Sequence, residues 1–235
     1  MSGKLLGEWR HVFKLDPEKE LDDGALEALC LSGTDAIVVG GSSGVTYENT
    51  VDLLSRIRRY ETPCALEVTS VDAVVPGFDV YMVPIVLNTP DADFIVGRHV
   101  AALKALGGFM PPDGIVAEGY VILNPECTAA RLTSAVMPGE GELEAFARYA
   151  DRLLRLPVLY LEYSGIFGDM RAVARVKKIL TNTRLFYGGG IDSGEKAAAA
   201  AAAADTVVVG NVIYESLKTA VDTVKAVQSQ QRDKS

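Results

Sequence analysis

The chain has 235 residues, 49% of them hydrophobic and 23% charged, which suits one α/β domain spanning residues 1–235 and excludes a disordered arm. A formal net charge of −8 excludes a general nucleic-acid binder, which needs a basic face, but leaves room for a local basic pocket around a phosphate. Residues 1–9 are too polar for a signal peptide, and no apolar run approaches the roughly 20 residues of a membrane span.

Short apolar runs alternate with amphipathic stretches, as a parallel sheet with crossover helices requires. The first strand is expected at His11–Leu15, ending in Asp16-Pro17, with a helix from residue 22 or 23 to 32–33. The second is Ala36–Val39, closed by Gly40-Gly41-Ser42-Ser43-Gly44, and Thr46 is a plausible N-cap for a helix to residue 59. The third and fourth strands are expected at residues 64–68 and 78–83. The stretch between them is too short for a crossover helix and carries Pro76-Gly77, which would break one. One outer helix is therefore missing or replaced by a loop, which leaves a groove open to a long ligand. A helix over residues 91–106 precedes the fifth strand at 116–122, and a helix over 142–154 follows it. Residues 158–161 form the sixth strand, with a helix over 169–180, and 184–187 form the seventh. The alanine tract at 196–204 is a plain surface helix, since alanine is the best helix former. Thr206–Val209 is the eighth strand, and the last helix covers residues 213–227. Eight strands in this order point to a modified (β/α)8 barrel lacking the helix after strand three, rather than an open doubly wound sheet.

Glycine turns end the last two strand predictions: Tyr187-Gly188-Gly189-Gly190-Ile191 and Val209-Gly210-Asn211. Without a Cβ, such turns let backbone N–H groups approach an anion, and the helix that follows points its positive end there. Two of them in consecutive strand–helix units suggest a phosphate grip. Lys14 and Asp16 share a face at the end of strand one. The carboxylate suits Mg²⁺ and the lysine a phosphate or diphosphate, the alternative being a salt-bridged strand end. Gly40-Gly41-Ser42 could cradle phosphate, offer the Ser42 hydroxyl to a metal, or be a flexible turn.

In Tyr160-Leu161-Glu162-Tyr163-Ser164-Gly165, a glutamate ends an apolar strand, where it is costly unless used or paired. Period two sets Tyr160 and Glu162 on one face, and desolvation would raise the carboxyl pKa and make it a better base. Ser164 and Gly165 could add donors to an anion; a Glu162 paired with Lys or Arg is the structural alternative. Glu67, Glu118 and Tyr120 could shape the pocket or serve the core and rim. His11 and His99 read as structural, and no Ser–His–Asp or Cys–His arrangement appears. The odd, widely spaced Cys30, Cys64 and Cys127 read as buried free thiols of a reducing cytoplasm.

Together, Phe13-Lys14-Leu15-Asp16-Pro17, Gly40-Gly41-Ser42, Glu118-Gly119-Tyr120, Tyr160 through Gly165, Tyr187-Gly188-Gly189-Gly190 and Val209-Gly210-Asn211 resemble the geranylgeranylglyceryl phosphate synthase family, and within it the bacterial PcrB type. The resemblance covers residues 9–227. It implies a homodimeric barrel and Mg²⁺-dependent transfer of a prenyl chain from prenyl diphosphate to the 3-hydroxyl of sn-glycerol 1-phosphate. By motif, Asp16 and Ser42 hold the metal, and Glu162 is the base, with Tyr160 beside it. Lys14, Tyr160, Leu161, Glu162, Tyr163, Ser164, Gly165, Gly190, Gly210 and Asn211 bind glycerol phosphate. Archaeal-type members restrict the tail with a bulky residue on the fourth helix. The small Ala102 at the matching position implies an open tunnel and a C35 heptaprenyl tail. The expected setting is cytoplasmic, with peripheral membrane contact for the lipid and no nucleic-acid partner. A C20 activity, a phosphosugar isomerase or aldolase barrel, and a non-catalytic phosphate-binding barrel are the competing readings.

Overall fold

Eight parallel strands, largely apolar, close in chain order into a barrel, β1 pairing with both β2 and β8. The computed structural model describes residues 6–106, 108 and 112–232, so residues 1–5 of the polar N-terminal stretch lie outside the description. In chain order the elements are β1 (His11–Leu15), α1 (Asp23–Cys30), β2 (Ala36–Val39), α2 (Tyr47–Ile57), β3 (Cys64–Glu67), β4 (Val80–Val86), α3 (Gly97–Leu106), β5 (Ile115–Ile122), α4 (Thr128–Thr133), α5 (Glu142–Arg148), β6 (Val158–Glu162), α6 (Met170–Ile179), β7 (Arg184–Gly188), α7 (Gly194–Ala203), β8 (Thr206–Val209), α8 (Val212–Glu215) and α9 (Leu217–Arg232).

Strand period two divides the apolar side chains between two layers. Val12, Val38, Ala65, Met82, Tyr120, Tyr160, Phe186 and Val208 fill the barrel, and Trp9 and Leu6 join them. Their neighbours Phe13, Val39, Leu66, Val121, Leu161, Tyr187 and Val209 face outward and pack under the helices. The alanine tract belongs to this outer layer: Ala197, Ala200, Ala201 and Ala203 are buried, and α7 packs on α9. Thr46 caps α2 as expected, in a reciprocal capping box with Asn49.

The connection between β3 and β4 carries no α-helix. A single 3-10 turn at Val71–Ala73 replaces it, with Val74 and Val75 buried beyond. Other boundaries moved. β4 is later than expected and runs through Pro84, because β3 pairs only up to Met82 and the proline lies past that ladder, where it costs fewer hydrogen bonds. The predicted helix over residues 91–106 is split into a 3-10 turn at Ala92–Phe94 and α3. The helix over 142–154 changes from α to π at Tyr149. α4, capped by the Cys127 sulfur on Ala130 N–H, has no counterpart in the sequence reading. The last helix breaks at Ser216 into α8 and α9.

His11 is a core group, as expected: Nδ1 and Nε2 each lie 2.9 Å from a threonine hydroxyl, Thr34 and Thr223, and burial lowers its pKa to about 3. Cys30, Cys64 and Cys127 are buried free thiols. No helix among the described residues is long and apolar enough to cross a membrane.

Candidate active site

The strands deliver their C-terminal ends to one cavity of about 890 Å³. Lys14 and Asp16 of the first strand end, Ser42, Tyr160, Glu162, Ser164, Gly165, Gly190, Gly210 and Asn211 all line it. The acidic groups of strands one and six therefore open onto the same space as the late glycine turns. Leu161 and Tyr163 do not line it. Their places in the alternation turn them outward, Leu161 into the layer under the helices and Tyr163 against Tyr187, 5.7 Å between ring centroids. The Tyr163 N–H donates to Gly188 O at 2.7 Å and so braces the seventh strand end.

At the floor of the cavity four side chains form one hydrogen-bonded unit. Lys14 Nζ donates to both Glu67 oxygens, at 2.7 Å and 2.8 Å, and to the Tyr120 hydroxyl at 3.0 Å. That hydroxyl lies 3.0 Å from Glu67 Oε2 and 3.2 Å from Glu162 Oε2, so its one proton serves one carboxylate at a time. The other oxygen of Glu162 accepts from Ser164 N–H at 2.7 Å. Burial raises the Glu162 pKa; the Lys14 charge opposes this, and the charge of Glu67 adds to it. Burial alone would lower Lys14, but the fields of Glu67 and Glu162 prevail and raise it, keeping the ammonium charged. Tyr120 and Tyr160 stack at 4.6 Å with 8° between planes, and Lys14 Nζ stands 5.7 Å from each ring centroid.

Glu67 and Tyr120 are the members whose place in this unit the sequence left open. The available signal was a glutamate closing the otherwise apolar strand Cys64-Ala65-Leu66-Glu67. A third interior glutamate, Glu118, is fully buried one strand step below Tyr120, and neither of its oxygens has a hydrogen-bond partner among the described residues. Burial, reinforced by the charge of Glu67 and opposed by that of Lys14, raises its pKa well above the ordinary carboxylate range, which favours the neutral acid.

The glycines make room. A Cβ on Gly188 would collide with the Tyr160 hydroxyl. Gly190 has φ +59, and a Cβ there would strike the Ile166–Phe167 backbone, so the seventh turn closes directly on the sixth. A Cβ on Gly41 would come within 2.6 Å of Asp16 Oδ1, so the missing side chain keeps that carboxylate open toward the cavity. Asp16 Oδ1 accepts only the Glu18 N–H, at 3.1 Å, among the described residues.

No group of three or more His, Cys, Asp or Glu side chains that could hold a metal occurs among the described residues. One carboxylate and a nearby hydroxyl, Asp16 and Ser42, nevertheless fit a hard cation that keeps several waters and takes further oxygens from phosphate.

Beside the gap in the helical ring, Val68, Val71, Val83, Pro84, Phe94, Ala101 and Ala102 extend the cavity as an apolar groove. His99 also lines it, but its Nε2 is engaged by Pro84 O at 2.5 Å.

Comparison with known proteins gives consistent results. The profile of the PcrB family matches residues 5–228. The chain is 58% identical to heptaprenylglyceryl phosphate synthase of Geobacillus kaustophilus over 94% of this chain and 92% of that one. It is 54% identical to the enzyme of the same name from Brevibacillus brevis, over 95% and 97%. Among solved structures, wild-type GGGPS from Thermoplasma volcanium superposes with a TM-score of 0.83 at 25% identity, covering 96% of this chain and 95% of that one. The (S)-3-O-geranylgeranylglyceryl phosphate synthase of Thermoplasma acidophilum, solved with sn-glycerol-1-phosphate, shares the fold at a TM-score of 0.84 and 23% identity, with 96% of each chain covered.

Proposed function

The chain belongs to the PcrB family, and on that premise we propose that it is a prenyltransferase that moves a heptaprenyl chain from its diphosphate to the 3-hydroxyl of sn-glycerol 1-phosphate. The observation that carries this reading is the single cavity in which Glu162 faces the glycine turns of β7 and β8 beside an apolar groove.

The acceptor phosphate would lie on the backbone donors of Gly165, Gly190, Gly210 and Asn211 and the Ser164 hydroxyl, with Lys14 reaching it from the floor. Holding the phosphate there fixes the direction of the glycerol and brings one hydroxyl to Glu162. Glu162 Oε2 takes the hydroxyl proton as the new C–O bond forms; the bond from the prenyl carbon to diphosphate breaks, and its electron pair leaves with the diphosphate. Positive charge on the allylic carbon is met by the stacked faces of Tyr120 and Tyr160. The Ser164 N–H bond holds Glu162 in place, and the Tyr120 hydroxyl restrains its second oxygen. Asp16 and Ser42 would hold Mg²⁺, which neutralises charge on the leaving diphosphate.

The apolar groove would take the tail, and small Ala102, almost completely buried on its wall, supports a long one. Exposed Ile95, Val96, Val100 and Leu103, on and just before α3, give this side of the mouth an apolar rim suited to lipid at a membrane surface. The family resemblance adds a homodimer.

The test is one assay: labelled sn-glycerol 1-phosphate with prenyl diphosphates of several lengths, with and without Mg²⁺. The reading expects a prenylglyceryl phosphate whose yield is greatest with the C35 donor and is lost without metal. No labelled lipid from any donor would overturn it.

A further inference from the structure

The loop after β1 carries a second lysine that the chemistry above does not use. Lys19 follows the Asp16-Pro17 turn, and its backbone N–H donates to Asp16 O at 3.0 Å. Its side chain also lines the cavity, at the edge rather than the floor. There Nζ lies 3.3 Å from Asn211 Oδ1 and 4.7 Å from the centroid of the Tyr214 ring. Tyr214 in turn ties the two loops together, its hydroxyl accepting the Asp16 N–H at 2.9 Å.

The two lysines of the cavity are in different electrostatic states. Lys14 is committed: Glu67 grips it with both oxygens. Lys19 has an amide oxygen and a ring face for company, and among the described residues no carboxylate stands within ion-pair distance of it. An ammonium has three donors, and at most one is engaged here. In a chain of net charge −8, a cation left unbalanced at the rim of a cavity marks a place for a bound anion. Its neighbour is Asn211, which opens the turn after β8.

We propose that Lys19 is a substrate-positioning residue whose ammonium closes over the phosphate of the acceptor at the Gly210-Asn211 turn. This deepens the prenyl-transfer reading and rests on it. Lys14 meets the acceptor from below with its charge already offset by Glu67; Lys19 supplies the charge that is not offset. A flexible lysine at the rim can swing from Asn211 Oδ1 onto a phosphate oxygen and release it with the product, whereas a buried ion pair could not. The other phosphate source in this cavity is the prenyl diphosphate, which would lie toward Asp16 and Ser42.

The test compares the wild-type protein with Lys19→Gln and Lys19→Arg. Steady-state KM is measured for each substrate, and calorimetry measures sn-glycerol 1-phosphate binding without a prenyl donor. Loss of a charge-assisted contact should raise both KM and Kd for the acceptor about 10- to 100-fold in Lys19→Gln. The KM for prenyl diphosphate and kcat at saturation should stay within about twofold, and Lys19→Arg should restore most of the affinity. Unchanged acceptor affinity in an active Lys19→Gln protein overturns the inference. A rise confined to the donor KM also overturns it, since that assigns the lysine to the diphosphate. A wild-type protein that makes no prenylglyceryl phosphate fails the underlying transfer reading, a different result from either.

Discussion

Lys14 Nζ lies 2.7 Å and 2.8 Å from the two carboxylate oxygens of Glu67, a residue 53 positions later in the chain, inside a barrel whose interior is otherwise largely apolar. The Glu67 side chain is only 5% exposed and that of Lys14 19%, so removing one partner strands the other where water reaches it poorly. Glu67→Leu is expected to destabilise the protein by about 3 kcal/mol, and Lys14→Met with Glu67→Leu by less than the sum of those two single changes. Denaturant unfolding of the four proteins measures the coupling; additive losses would show that the pair does not act as a unit.

Glu162→Gln keeps the shape of the side chain but cannot accept a proton from an alcohol. Its kcat is expected to fall about 100- to 10,000-fold while glycerol phosphate binding is retained. In the wild type the raised pKa fixes the sign of the pH effect. Activity falls as pH drops through the folded-state pKa of Glu162, so the acidic limb must inflect above the ordinary value of 4.5. A limb at or below that value would place the titrating group elsewhere.

Glu118 predicts a dependence of stability on pH. Its folded-state pKa is raised well above 4.5, so between 4.5 and that value the folded chain holds a proton that the unfolded chain has released. The native state binds more protons, and stability therefore falls as pH rises through this window. Glu118→Gln removes the effect: the variant should gain on the wild type in thermal midpoint as pH rises from 4.5 to 8, with the two converging at lower pH. A constant difference across the range would contradict a neutral Glu118.

Gly188→Ala introduces a methyl group where the Tyr160 hydroxyl lies. Overpacking should cost about 1–3 kcal/mol and lower activity by displacing the tyrosine. Adding Tyr160→Phe should recover part of the stability, which thermal unfolding reads directly.

Ala102→Trp should shorten the longest prenyl chain the protein accepts, because the residue is buried on the wall of the groove. Product lipids from a series of donors, separated by mass spectrometry, give the answer; unchanged length would remove the link between this wall and the tail.

The strands were legible because their runs are short, apolar and bounded by turns: β1, β2 and β8 have the boundaries read from the chain. The missing outer helix was legible for the same reason, since Pro76-Gly77 in a short connection leaves no room for one. α4 was not, because six residues carry too little periodicity. The sharing of one cavity by Asp16, Ser42, Glu162, Gly190 and Gly210 follows from each lying at a strand end. The partnership of Lys14 with Glu67, and of Tyr120 with Glu162, depends on barrel register and could not be read from separations of 53 and 42 residues. Leu161 and Tyr163 were drawn toward the site by a contiguous motif, although strand alternation turns them away from it.

A crystal structure of this protein with sn-glycerol 1-phosphate tests the account most directly. The expected result is a phosphate on the backbone donors of Gly190, Gly210 and Asn211, with a glycerol hydroxyl within hydrogen-bonding distance of a Glu162 oxygen. A phosphate bound away from those turns, or a glycerol whose hydroxyls all point away from Glu162, would contradict it.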